Sequence, residues 1–161
     1  MSKTPSSETA KTASAHNFVL TYGVMAALLL LVVLTFVRFF GPGNGMATLQ
    51  AGRHGYHLQI VTTAQGQQKG LGGRASMPEG SGMLFAFPTE APRCFWMKDM
   101  QFPLDIIWLN TQKQVVHVEP EVSPATFPDT FCPPEPAQYV IELNSGEAAR
   151  AGIHTGETLT F

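Results

Sequence analysis

A single mainly β domain, carried behind one apolar segment of membrane-spanning length, is the fold class this sequence predicts. Three observations lead there. Residues 18–40 form a nearly unbroken apolar run. The 12 Pro and 15 Gly are too many for a helical bundle and suit a loop-rich, strand-dominated domain. Between turn signals, short runs such as 104–109 carry apolar residues at both parities, as expected of strands covered on both faces.

In chain order, residues 1–17 are polar, rich in Ser, Thr, Lys and Ala, and lack apolar periodicity, so a disordered tail is expected. Only Thr21, Tyr22, Gly23, Thr35 and Arg38 interrupt the run at 18–40. As a helix it would be roughly 34 Å long, enough for a hydrocarbon core of about 30 Å. A secretory signal peptide is the alternative, with small residues at 45–47 near a cut site. Its apolar core is normally about 7–15 residues, so an uncleaved anchor is expected. Lys3 and Lys11 before the run balance Arg38 and Arg53 at and after its end, so charge does not orient it. A short tail, one helix and a C-terminal domain is a plan that places the domain outside the cytosol. The expected location is therefore the cell inner membrane, single-pass, with a periplasmic domain. Residues 41–55, opening Gly-Pro-Gly-Asn-Gly, read as a tether.

The folded domain is expected over 56–161. Strands are predicted at 56–62, 82–87, 95–98, 104–110, 114–119, 138–143 and 157–161, with a short helix at 64–71. Asn144 and Glu147 resemble a capping box opening a second short helix that Gly152 ends. Between them, 120–136 holds six prolines and no period, and long structureless loops in small domains are usually functional or disordered.

Three motifs in order then carry a resemblance. They are Lys69-Gly70-Leu71-Gly72-Gly73-Arg74 through 82–87; Phe95-Trp96-Met97-Lys98 with Pro103-Leu104-Asp105-Ile106-Ile107; and Tyr139-Val140-Ile141-Glu142-Leu143 with Gly146, Gly152-Ile153 and Gly156. Together they are similar to the domain of unknown function 192 family. Gly72 stands where that family usually has Met, and Asp99-Met100 where it has Asn-Thr. The resemblance implies a compact mainly β domain of jelly-roll-like or barrel-like form, often secreted or membrane-tethered, and no particular activity.

A net charge of −2 with no basic patch in the sequence argues against a nucleic-acid partner. His-Glu-x-x-His, Gly-x-Ser-x-Gly, a phosphate loop and Cys-x-x-Cys are all missing, so zinc hydrolase, serine esterase, nucleotide enzyme and thioredoxin-like readings lose their usual support. No cofactor or metal is implied. Cys94 and Cys132 are the two cysteines, and outside the cytosol such a pair more often forms a disulfide, worth on the order of 4 kcal/mol for this loop length. The alternative is a soft metal site with Met97 or His117. Met77, Met83 and Met100 read as gap-fillers and His54 and His57 as surface residues.

Lys98, Asp105 and Glu142 are the catalytic candidates, since carboxylates and a lysine in apolar strands can acquire shifted pKa values. The structural alternative is a buried satisfied network, with Lys98 the nearest partner for Asp105. Trp96, Lys98 and Arg74 are the binding candidates, and Phe85, Phe87, Phe95 and Trp108 either core or pocket wall. Two functions remain: a binding module working through the Trp96/Lys98 edge and the Pro-rich loop, with a protein or envelope polymer as partner, and an envelope-associated hydrolase using Asp105 or Glu142 as base with Lys98 as electrostatic support. Convergence of Lys98, Asp105 and Glu142 on one open cleft would favour the enzyme.

Overall fold

The computed structural model describes residues 23–32 and 45–161. Residues 23–32 are helical (α1), with Val24, Met25 and Leu28 through Val32 exposed. The rest of the apolar run at 18–40 lies outside the described residues, as do the tail and the start of the tether. Among the described residues no helix is long and apolar enough to cross a membrane.

The second unit is mainly β. Eight strands follow in order: β1 (Met46–Ala51), β2 (His54–Val61), β3 (Ser81–Ala91), β4 (Phe95–Trp96), β5 (Leu104–Leu109), β6 (Val115–Val122), β7 (Thr130–Phe131) and β8 (Ala137–Asn144). Two short helices, α2 (Ala64–Lys69) and α3 (Glu147–Ala151), and a 3-10 turn at Pro124–Thr126 complete it. Six strands form one sheet in the order β1-β2-β3-β8-β5-β6, while β4 and β7 pair separately.

Of the jelly-roll-like or barrel-like form expected, the closed barrel is corrected here, because the six-stranded sheet does not close. Its edge strands β1 and β6 are not bonded to each other. The C-terminal segment instead touches both edges through isolated bridges, Gln50 with Thr160 and Gln114 with Thr158. The strand expected at 157–161 is reduced to these contacts. Residues 46–55, assigned to the tether on composition, form β1, the turn after it and the start of β2. Leu49 and Ala51 point inward, and Gly52 supplies the left-handed φ of +57° that the tight turn requires.

The β2–β3 pair is parallel, which demands a long crossover. Residues 62–80 provide it, and α2 within them is capped by the Thr63 hydroxyl accepting from the Gly66 amide at 3.2 Å. β8, late in the chain, inserts between β3 and β5. That register sets Met83, Glu142 and Ile106 in one row across three strands, and places Leu143 opposite Asp105. Gly82 sits where three strands approach closely: a Cβ there would lie 2.8 Å from the Glu142 carbonyl oxygen and 2.6 Å from Leu58.

All six residues of β5 are buried, in agreement with the expectation that it is covered on both faces. Leu104, Ile106 and Trp108 join Met83, Phe85, Met97 and Val140 in one apolar cluster. Ile107 and Leu109 join Leu49, Tyr56, Leu58, Leu84, Ile141, Leu143 and Ala148 in the other. The proline-rich stretch is ordered structure: β6 runs on through Pro120 to Val122, and β7 pairs Phe131 with Phe95 and Thr130 with Trp96.

Candidate functional site

Strand parity separates the two candidate carboxylates. Asp105 lies on the Ile107 face of β5 and Glu142 on the Ile106 face, so they occupy opposite sides of the sheet. Asp105 is fully buried and its oxygens accept three backbone N–H bonds: Glu121 at 2.8 Å, Gly146 at 3.1 Å and Ala148 at 2.8 Å. It caps α3 from a distant strand and holds the bulge of β6, where Glu121 has a φ of +55°. Lys98 is not its partner.

The expected capping box also fails. Gly146 is the N-cap and offers no side chain, Asn144 donates instead to the carbonyls of Met77 and Pro78, and Glu147 accepts from Tyr56 and Arg150. Burial first, and then the 2.8 Å bond to Glu147, hold the Tyr56 phenol well above its usual range.

Glu142 and Lys98 both line a cleft of about 310 Å³ on the other face. Its floor is β3 and β8, through Phe85, Phe87 and Glu142. One wall is α2 and the loop after it; the other is the irregular segment 92–94 with β4 and the turn beyond. The walls are tied to each other by the Gly73 amide donating to the Asp99 carbonyl at 2.8 Å. Gln67 joins α2 to β3 by donating to the Ala86 carbonyl at 3.0 Å. Gly72 borders this cleft and two adjoining surface grooves, and a Cβ there would lie 3.0 Å from the Lys69 carbonyl oxygen and 3.3 Å from that of Lys98.

The second wall is pinned twice. The buried Trp108 indole N–H donates to the Arg93 carbonyl at 2.6 Å, and Cys94 and Cys132 are joined by a disulfide. Replacing both cysteines with serine should cost about 4 kcal/mol of folding stability for a loop of this length, read as an earlier urea midpoint. An unchanged midpoint would show that β4 is held by its other contacts alone. With its thiol in the disulfide, Cys94 offers the cleft no free nucleophile. Among the described residues no cluster of His, Cys, Asp and Glu could hold a metal ion.

Glu142 is the unusual group in the cleft. It is 6% exposed, and burial raises its carboxyl to about 8 while the Arg74 charge pulls the other way. Its Oε2 is buried with no partner. Arg93 Nε is likewise buried and unbonded, although Nη2 of the same guanidinium donates to the Thr89 carbonyl at 2.7 Å and the group lies 4.0 Å from the Phe87 ring centre. Both residues line the cleft.

Of the binding candidates, Trp96 is exposed at the rim, edge-on to Phe127, with the Lys98 Nζ 5.9 Å from its ring. Lys98 stands in the turn after β4 and not on the strand. Arg74 borders an adjoining groove and donates to Gln59 Oε1 at 2.7 Å. Sequence reasoning missed Arg93, which sits in an irregular stretch without pattern. It had a usable signal for Glu142, a lone carboxyl between Ile141 and Leu143.

The fold and site thus define an open-sheet β domain with a ligand-sized cleft containing a buried acid. The chain belongs to the DUF192 family (Uncharacterized ACR), whose model matches residues 47–161. None of the curated proteins is a match. A solved structure from Novosphingobium aromaticivorans DSM 12444, a protein of unknown function, is similar with a TM-score of 0.68 and 26% identity, covering 75% of this chain and 89% of that one. Another, from Sinorhizobium meliloti 1021 and described as a proposed transcription regulator, shares the fold with a TM-score of 0.69 and 24% identity, covering 73% of this chain and 95% of that one.

Proposed function

We propose that this protein is a binding module, tethered to the outer face of the inner membrane by residues 18–40, whose small-molecule ligand occupies the cleft above Glu142. The observation that carries the reading is the pair of orphaned atoms. Buried polar groups are nearly always hydrogen-bonded, and leaving one unpaired costs roughly 1–3 kcal/mol. Among the described residues three buried side-chain atoms lack partners, and two of them, Glu142 Oε2 and Arg93 Nε, belong to residues lining this cleft. Both atoms are screened from solvent, so a ligand with polar groups would satisfy them by displacing the side-chain atoms that now cover them. The volume lies at the small end of the usual range for ligand pockets, about 300–1,000 Å³.

Binding is favoured over hydrolysis by what lines the cleft. It offers no hydroxyl, imidazole or free thiol, and Asp105 lies across the sheet, so the acid, base and nucleophile of a hydrolase are not assembled. The disulfide supports an oxidising, extracytoplasmic location. The length and apolarity of 18–40 support the anchor.

A fragment screen by saturation-transfer NMR on the full chain in nanodiscs tests the site. Hits should be lost in Gln68→Trp, an exposed position where a large ring would block the cleft. Hits indifferent to that change, or none at all, would overturn the reading. For location, alkaline phosphatase fused to the C-terminus should be active; an inactive fusion would place the domain in the cytosol.

A further inference from the structure

The charge around the cleft identifies the class of molecule it takes, given the binding reading above. Residues 45–161 contain seven basic side chains: Arg53, Lys69, Arg74, Arg93, Lys98, Lys113 and Arg150. Four of them, Lys69, Arg74, Arg93 and Lys98, line the cleft or the two grooves that share residues with it, against only Glu142 and Asp99 of the acidic ones.

None of those four forms an ion pair among the described residues; the salt bridges there use Arg150, His117 and His154. Arg74 donates to a neutral amide, Arg93 lies on Phe87 and bonds a carbonyl, and Lys98 stands over Trp96. A chain of net charge −2 has thus gathered unneutralised positive charge at one place. Such a lining attracts anions and repels ammonium groups. Beneath the cations the half-buried Phe87, Phe95 and Met100 make the surface apolar, backed by the buried Leu71 and Phe85.

We propose that the cleft binds a small organic carboxylate, its oxyanion received by the Arg93 guanidinium with Lys69 and Lys98, and its apolar or aromatic body laid over Phe87, Phe95 and Met100. Glu142 would then meet a polar group on that body. A carboxylate fits better than a phosphate ester, whose nearly double charge would be costly to desolvate against so much apolar surface.

Three probes of one shape separate the possibilities: 3-phenylpropanoate, 3-phenylpropanamide and 3-phenylpropylamine, titrated by calorimetry into the full chain in nanodiscs at low salt. The carboxylate should bind about tenfold or more tighter than the amide, as a charge-assisted bond predicts, and the amine weakest of all. Arg93→Gln should remove the carboxylate's advantage and leave the amide unchanged. If that variant does not fold, Lys98→Gln, at an exposed turn position, should narrow the same gap. An amide or amine that binds as well as the carboxylate would overturn the carboxylate assignment while leaving the cleft as a site. Failure of all three to bind would also overturn it, and the cleft reading would then rest on the fragment screen alone.

Discussion

Asp105→Ala should destabilise the domain by about 5 kcal/mol, a large share of the 5–15 kcal/mol that typically holds a domain folded. The carboxylate is fully buried and its three acceptor bonds join β5, the β6 bulge and the start of α3 at one point. Bonds to a charged group contribute roughly 1.5–3 kcal/mol each, and their loss leaves the Glu121, Gly146 and Ala148 amides without that acceptor. α3 is only five residues long and has no side-chain cap of its own, so it cannot be expected to persist by propensity. Glu121, in a left-handed conformation that few side chains adopt, would lose the bond that fixes it. Urea denaturation measures the total. Amide hydrogen exchange locates it, with protection lost first at 146–151 and around Glu121. Asp105→Asn keeps one acceptor oxygen and should cost clearly less. A destabilisation under about 1 kcal/mol for the alanine variant would mean that α3 is held by its apolar packing alone.

That network also shows where sequence reading stops. The central strand was legible because five apolar residues spread over both parities can only be covered twice, and β5 is. The burial of Asp105 was legible for the same reason. Its partners were not: Lys98 is nearest along the chain, whereas the real donors are backbone amides 16 to 43 residues away, brought there by the pairing of β6 and of β8 with β5. Backbone N–H groups carry no signature in a sequence. The separation of Asp105 from Glu142 is likewise a matter of register, since a one-residue slip of β8 would have put both on one face. The capping box was misread because Asn144 and Glu147 each found a stronger distant partner, at Met77 and Tyr56. The β1 strand was hidden by its small residues and by the glycines flanking it. Half of the cleft was visible as the Phe95-Trp96-Met97-Lys98 motif. Arg93, outside any periodic segment, became visible only when Trp108 and the disulfide were seen to fix the wall that carries it.

Glu142→Gln should stabilise the domain at pH 8 and above and leave it unchanged near pH 4. In the unfolded chain this carboxyl ionises near 4.5, but in the folded domain burial keeps it protonated up to about 8. Between those values the folded state holds one more proton than the unfolded state, so stability falls as the pH rises. The contribution is fully present below about 4.5 and fully lost above about 8. A gap of that size corresponds to about 5 kcal/mol at 1.36 kcal/mol per unit. Glutamine has nearly the same shape and no charge to desolvate, so the difference between variant and wild type should grow across this window, isolating Glu142 from every other titrating group. Arg74→Gln removes the one charge that opposes the shift and should move the upper limit of the window higher. Urea titrations at pH 4, 6 and 8.5 on all three proteins provide the measurement. Parallel stability profiles for wild type and Glu142→Gln would show that the carboxyl ionises normally and is reached by water. If the profiles diverge as expected, this chain retains a glutamate where glutamine would make it more stable. That is the trade expected of a group kept for what it contacts in the cleft.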